Sequence, residues 1–141
     1  METMNRTSIT VATTIRANVE KVWKYWSEPE HIRNWCKATD DWHAPYADND
    51  LRVDGRFKTT MAAKDGSFSF DFGGVYTTVV TNKLIEYTMD DSRKVSVSFT
   101  SKGNETEVVE TFEAEDMNPV EMQRSGWQAI LDNFKKYTET A

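Results

Sequence analysis

The sequence predicts an α+β domain in which a curved antiparallel sheet wraps around one long C-terminal helix. Residues 118–140 carry a broad apolar stripe at helical spacing: Val120, Gln123, Trp127, Ile130, Leu131 and Phe134. Residues 51–113 instead alternate with period two and are cut by tight-turn signals, so consecutive strands must pair antiparallel. Gly73-Gly74, in the middle of the longest apolar run, predicts a bulge or bend that curves the sheet. A helix of that length, about 30 Å at 1.5 Å per residue, is the one element large enough to fill a concave face.

Residues 1–5 read as a loose tail. Residues 7–16 alternate Ile9, Val11, Thr13 and Ile15 with small polar residues, the pattern of a half-buried strand. From Asn18 the period changes, and Val19, Val22, Trp23 and Trp26 form a helical stripe. Pro29 interrupts that helix and starts a second short one, with Ile32 and Trp35 facing inward. Residues 36–50 hold Asp, Asn, Pro and Ala with little periodicity and read as an exposed loop. Asp54-Gly55 breaks a strand over residues 51–63, and Lys64-Asp65-Gly66 turns into a long strand over residues 67–80. Phe68, Phe70, Phe72, Gly74, Tyr76, Thr78 and Val80 share one face of it by alternation. Strands over residues 84–89, 94–101 and 105–113 follow, and Thr106, Val108, Glu110 and Phe112 share a face of the last. Asn118, Pro119 and Glu121 then read as a capping box with proline at the first helical position. The predicted order is one strand, two short helices, six strands and a long helix, within a single domain over residues 1–141.

The chain has 141 residues, 38% hydrophobic and 12% aromatic, enough for a core without staples. Five Trp and seven Phe suit either a bulky core or a cavity lined with rings. A net charge of −6, with Lys and Arg nowhere in a run, argues against nucleic acid and anionic membrane as partners. The single cysteine, Cys36, excludes an internal disulfide and fits a reducing compartment. Residues 1–10 show no apolar segment of a signal peptide, and no apolar run is long enough to span a membrane, so a cytoplasmic location is expected. A monomer or weak homodimer is expected.

Several stretches carry a family resemblance. V-E-K-V-W-K-Y-W-S-E-P-E-H-I-R-N-W (residues 19–35), R-V-D-G-R-F (52–57), G-G-V-Y with K-L-I-E-Y-T (83–88), T-E-V-V-E-T-F-E-A-E (106–115) and G-W-Q-A-I-L-D-N-F-K-K-Y (126–137) resemble one branch of the START/Bet v 1-like (SRPBCC) superfamily. The branch is that of the C-terminal domain of the activator of heat-shock-protein-90 ATPase, with many small bacterial polyketide-cyclase-like proteins. The resemblance covers nearly the whole chain. It implies the helix-grip fold and a deep cavity between sheet and last helix for a hydrophobic ligand. It implies no fixed catalytic set. Eukaryotic activators engage the chaperone through a separate N-terminal domain, for which this chain leaves no room.

No phosphate-binding, dinucleotide-binding, zinc-protease or C-x-x-C motif is present, and neither cofactor nor metal is expected. Cys36 lies near His31 and His43 in sequence, which does not make a catalytic pair. Asp40, Asp41 and His43 offer too few ligands at recognisable spacing for zinc. The most informative polar residue is Glu110, expected on the concave face beside Val108 and Phe112. A carboxyl there must be paired, hydrated or protonated. It could anchor a ligand or act as a weak candidate general acid/base, or a bulge could flip it out, or it could pair with Arg56 or Lys94. Gln123 interrupts the helix stripe as a ligand contact or a solvated group, and Gly126 suggests close approach by a strand or ligand. The expected ligand-binding set is Trp35, Trp42, His43, Phe57, Phe70, Phe72, Tyr76, Glu110, Phe112, Gln123, Trp127 and Ile130. Trp42 and His43 are placed on a loop at the pocket mouth.

These readings favour a protein that binds a small hydrophobic or aromatic ligand. One alternative is an acid/base enzyme acting on a cyclic substrate through Glu110, assisted by Tyr76 or His43. Another is a module that modulates a chaperone ATPase.

Overall fold

Alternation folds Ser8–Ile15 into β1, with Ile9, Val11 and Ile15 buried. Asn18 then caps α1 (Val19–Ser27), its side-chain oxygen accepting from the Lys21 N–H at 2.9 Å. Extended Glu28 separates α1 from α2 (Pro29–Trp35), where Pro29 occupies the first turn. Six further strands follow: β2 (Trp42–Asn49), β3 (Arg56–Ala63), β4 (Ser69–Val80), β5 (Leu84–Met89), β6 (Lys94–Lys102) and β7 (Glu105–Glu113). The chain closes on α3 (Val120–Thr140). This computed structural model describes residues 7–140, so the tail expected over residues 1–5 lies outside the described residues. No helix among them is long and apolar enough to cross a membrane.

One seven-stranded antiparallel sheet runs in the order β1-β7-β6-β5-β4-β3-β2. The first and last strands of the chain lie at or beside one edge because β1 pairs with β7, Val11 opposite Glu110. The sheet curls around α3. Phe134 is fully buried, and its ring meets Trp26 and Trp35 at centroid distances of 4.9 Å each, so one aromatic cluster joins all three helices. The far end of α3 is tied to β1 and its exit. Glu139 accepts from the Arg16 backbone N–H at 2.8 Å and from Lys135 Nζ at 2.6 Å. Partial burial opposes ionisation there, but these hydrogen bonds outweigh it and hold the Glu139 carboxyl at about 2.

The structure departs from the expectations at four places. Residues 36–50 are not all loop: Trp42–Asn49 is edge strand β2, and residues 51–55 are the turn into β3. The period is hidden because a register shift between His43 and Tyr46 inserts an extra residue beside Pro45, a proline position that an edge strand tolerates. The bulge of β4 falls between Tyr76 and Thr78, not at Gly73-Gly74. It reverses the alternation, so Val79 packs on the core while Val80 turns outward, 44% exposed. The two glycines answer close approach instead: a Cβ on Gly74 would stand 2.4 Å from the Thr88 carbonyl oxygen, and one on Gly73 2.7 Å from that of Phe57. Finally, Asn118 does not form a capping box. Its amide turns back to the Glu115 carboxylate at 2.6 Å, and Glu121 pairs with Arg124.

Gly126 lies inside α3, and beyond its own neighbours and helix backbone no atom stands within 4 Å of the position of its missing Cβ. Close approach by a strand therefore does not explain it. Gly126→Ala is expected to stabilise the protein by about 0.5–1 kcal/mol, read as a rise in the urea midpoint at unchanged slope. A fall in the midpoint would show that the glycine serves another need.

Candidate functional site

Strand alternation aims one side chain in two at the concave face, and α2 and α3 roof it. Between them lies a cavity of about 310 Å³. That is at the small end of ligand pockets, which run from about 300 to 1,000 Å³. β3 contributes Phe57, Thr59 and Met61, and β4 contributes Phe70, Phe72 and Tyr76. Tyr87 of β5 and Glu110 of β7 complete the sheet wall, with Asp48 and Asn49 from β2 at its margin. Trp26, Ile32, Trp35 and Cys36 come from the two short helices, and Gln123, Trp127, Ile130 and Leu131 from α3.

Most of the expected set therefore meets around one cavity: Trp35, Phe57, Phe70, Phe72, Tyr76, Glu110, Gln123, Trp127 and Ile130. Three residues do not. Trp42 packs outside it against Phe68 and Phe70, at ring distances of 6.0 Å each, because β2 continues the sheet instead of looping over the mouth. His43 is exposed on that edge strand. Phe112 is buried beneath the wall, stacked on Trp127 at 3.8 Å and 9°. It supports the Trp127 ring that faces the space. Thr59, Met61 and Tyr87 were legible in strand alternation beside Phe57 and Ile85. Asp48 and Asn49 were hidden by the reading of their segment as loop.

The polar residues divide into those already engaged and those free. Tyr76 donates to Asn49 Oδ1 at 2.5 Å. Gln123 is buried with its amide fully used: Oε1 accepts from the Glu115 N–H at 2.9 Å, and Nε2 donates to the carbonyls of Asn118 and Glu115 at 2.8 and 3.1 Å. It is neither a solvated group nor a free ligand contact; it fastens the start of α3 to the chain leaving β7. Arg93 donates to Asp91 and to the Glu113 carbonyl.

Glu110 is 6% exposed and makes no hydrogen bond or ion pair among the described residues. Neither outward flipping nor pairing with Arg56 or Lys94 occurs: Arg56 binds Asp90 at 3.0 Å. Burial alone pushes the Glu110 carboxyl up to about 8. The group is accordingly a neutral acid at neutral pH. Burial and then the nearby Glu110 charge push the Cys36 thiol up to about 12, the opposite of an activated nucleophile. Its sequence neighbour His31 is engaged elsewhere, stacked on Tyr25 at 4.0 Å with Nδ1 2.6 Å from the Tyr137 hydroxyl. Among the described residues no three His, Cys, Asp or Glu side chains group as metal ligands, and exposed Asp40 pairs with Lys37 at 3.4 Å.

Residues 16–139 match the family model described as activator of Hsp90 ATPase homolog 1-like protein. The chain is 44% identical to the AHSA1-like protein of Aeromonas hydrophila, whose solution structure it matches with a TM-score of 0.89 over 94% of this chain and 92% of that one. It is 61% identical to Chr148 of Cytophaga hutchinsonii, at a TM-score of 0.81 and the same 94% and 92% coverage. CV1439 of Chromobacterium violaceum shares the fold at 21% identity, with a TM-score of 0.84 over 95% of this chain and 98% of that one. No protein with a curated description matches.

Proposed function

The chain belongs to the family of activator of Hsp90 ATPase homolog 1-like proteins, and from that premise we propose that it is a binding protein for a small hydrophobic or aromatic molecule. The supporting observation is the cavity of about 310 Å³, apolar on most of its wall, with an unpartnered buried carboxyl at Glu110. A filled core would leave no such space, since protein interiors pack to crystal density. An apolar pocket with a few convergent polar groups is the usual form of a small-molecule site. A role in modulating a chaperone ATPase would draw on a surface patch, and the cavity does not argue for one.

Thermal-shift screening against lipophilic ring compounds tests this. A ligand at a hundred times its Kd is expected to stabilise the protein by about 2.7 kcal/mol. Met61→Trp, which fills the cavity, is expected to abolish the shift while the protein stays folded. The proposal fails if no compound shifts the transition and native mass spectrometry finds the freshly purified protein empty.

One observation favours a second reading, an acid/base enzyme on a cyclic substrate: the Glu110 proton is held up to about pH 8. The assisting groups expected for it are not at hand. Tyr76 is committed to Asn49, and His43 lies outside the cavity. Binding is therefore the stronger reading.

A further inference from the structure

The cavity wall is unevenly supplied with hydrogen-bonding groups. Its acceptors are mostly spoken for. Asn49 Oδ1 takes the Tyr76 hydroxyl, and Gln123 Oε1 takes the Glu115 N–H. The Glu115 carboxylate takes the N–H groups of Met117 and Asn118 and the Asn118 amide. Asp48, at the margin, is exposed and keeps its water. What remains free inside is able to donate as well as accept. Glu110, Tyr87 and Thr59, at 6%, 6% and 4% exposure, face the cavity with no hydrogen bond or ion pair among the described residues. Each carries an O–H when neutral. None of their oxygens is both sealed from the cavity and unpartnered; among the described residues only Thr138 Oγ1 has that status.

Two of these groups share one face of the sheet and one cavity. Phe112 stands opposite Val95, and Val95 opposite Tyr87, while Glu110 lies two residues before Phe112 on the same face. Glu110 and Tyr87 thus lie on the same concave face, on the two strands that flank β6 and offset by two residues. They are close enough that the Glu110 charge, after burial itself, helps to raise the Tyr87 phenol. Both groups stay protonated at neutral pH, since burial holds the carboxyl up to about 8 and the phenol well above its ordinary range. A neutral carboxyl and a neutral phenol are two hydrogen-bond donors that bring no charge of their own, and the Arg93 guanidinium on the same wall is already engaged by Asp91 and the Glu113 carbonyl.

The geometry points to a ligand with a neutral carbonyl group on a flat apolar skeleton, its oxygen accepting hydrogen bonds from Glu110 and Tyr87 at the floor of the cavity. This rests on the ligand-binding reading above and names the polar group that the ligand must bring. The rings of Trp127, Phe57 and Phe72 receive the skeleton. A carboxylate in the same place is disfavoured, because its charge would be desolvated beside an ionisable acid. A skeleton without oxygen leaves both donors unpaired.

Three probes of one shape test this at pH 7: 2-acetylnaphthalene, 2-ethylnaphthalene and 2-naphthoate, titrated by Trp fluorescence and amide chemical shifts. The ketone is expected to bind at least about tenfold tighter than the hydrocarbon, the return on two hydrogen bonds to otherwise unpaired donors. The naphthoate is expected to bind more weakly than the ketone. Tyr87→Phe and Glu110→Leu should each narrow the gap between ketone and hydrocarbon, whereas Glu110→Gln, which keeps a donor, should preserve most of it. Equal affinity for ketone and hydrocarbon overturns the donor pair while leaving cavity binding intact. A preference for naphthoate overturns it in favour of a cationic anchor. Binding of no probe to the wild-type protein overturns the inference, while the broader ligand-binding reading stands or falls with the thermal-shift screen and native mass spectrometry.

Discussion

Replacing Glu110 with glutamine is expected to remove a loss of stability of about 3 kcal/mol that the wild-type protein suffers between pH 5 and pH 8. The sign follows from the direction of the shift. Burial raises the folded-state carboxyl from 4.5 to about 8. Below pH 4.5 both states hold the proton. Between 4.5 and 8 the unfolded chain releases it and the folded protein does not, so folded protein binds more protons and stability falls as pH rises. The slope is about 1.4 kcal/mol per pH unit at its steepest and vanishes above the folded value. Among the described residues no other shifted group interferes in this window. The depressed carboxyl of Glu139, at about 2, contributes stability that is lost only as pH falls below its unfolded value of 4.5. Cys36, raised from 9.0 to about 12, acts only at alkaline pH. Urea unfolding of both proteins from pH 5 to pH 8 checks this. The buried amide of the variant carries its own desolvation cost, so the difference in slope, not the absolute stability, is the readout. Parallel curves for the two proteins would mean that water or a counter-charge reaches Glu110, and the neutral-acid reading would go with it.

Gln123→Leu is the second large effect. The substitution conserves size on the buried side of α3 but leaves the Glu115 N–H and the carbonyls of Glu115 and Asn118 without their partner. At roughly 1 kcal/mol for each hydrogen bond in a partly buried setting, the loss is about 2–4 kcal/mol. That corresponds to a fall in Tm of roughly 10 °C for a domain of this size. The damage should be local before it is global. Amides in the first turns of α3 and in the segment leaving β7 should exchange faster, while those of Leu131 and Phe134 keep their protection. If leucine at this position leaves Tm and exchange unchanged, Gln123 is not the fastener of the helix, and the cavity end of α3 is held by packing alone.

The sequence by itself determined the periodic parts of this protein. Strict alternation put Ile9 and Ile15 on the buried side of β1 and Val108, Glu110 and Phe112 on the inner face of β7, and the structure buries all five. The helical stripe of α3 and the proline break between α1 and α2 were equally legible, because a period and a missing N–H are local properties. Glu110 could be singled out for the same reason: a carboxyl inside an apolar alternation is conspicuous before any fold is known.

Only the tertiary structure decided where periodicity fails or where partners are remote in sequence. The shift around Pro45 hid β2, and the extra residue at Thr77 turned Val80 outward against the alternation. Bulges are set by what the neighbouring strand needs, which a single strand does not record. Gln123 looked like a ligand contact because its partners, the backbone groups of Glu115 and Asn118, are not written in side-chain identities. The same holds for the cavity. The rings of Phe57, Phe72 and Trp127 would read identically in a filled core. Whether they meet or leave about 310 Å³ between them depends on the curl of the sheet and the seating of α3, and these arise from the packing of the whole chain.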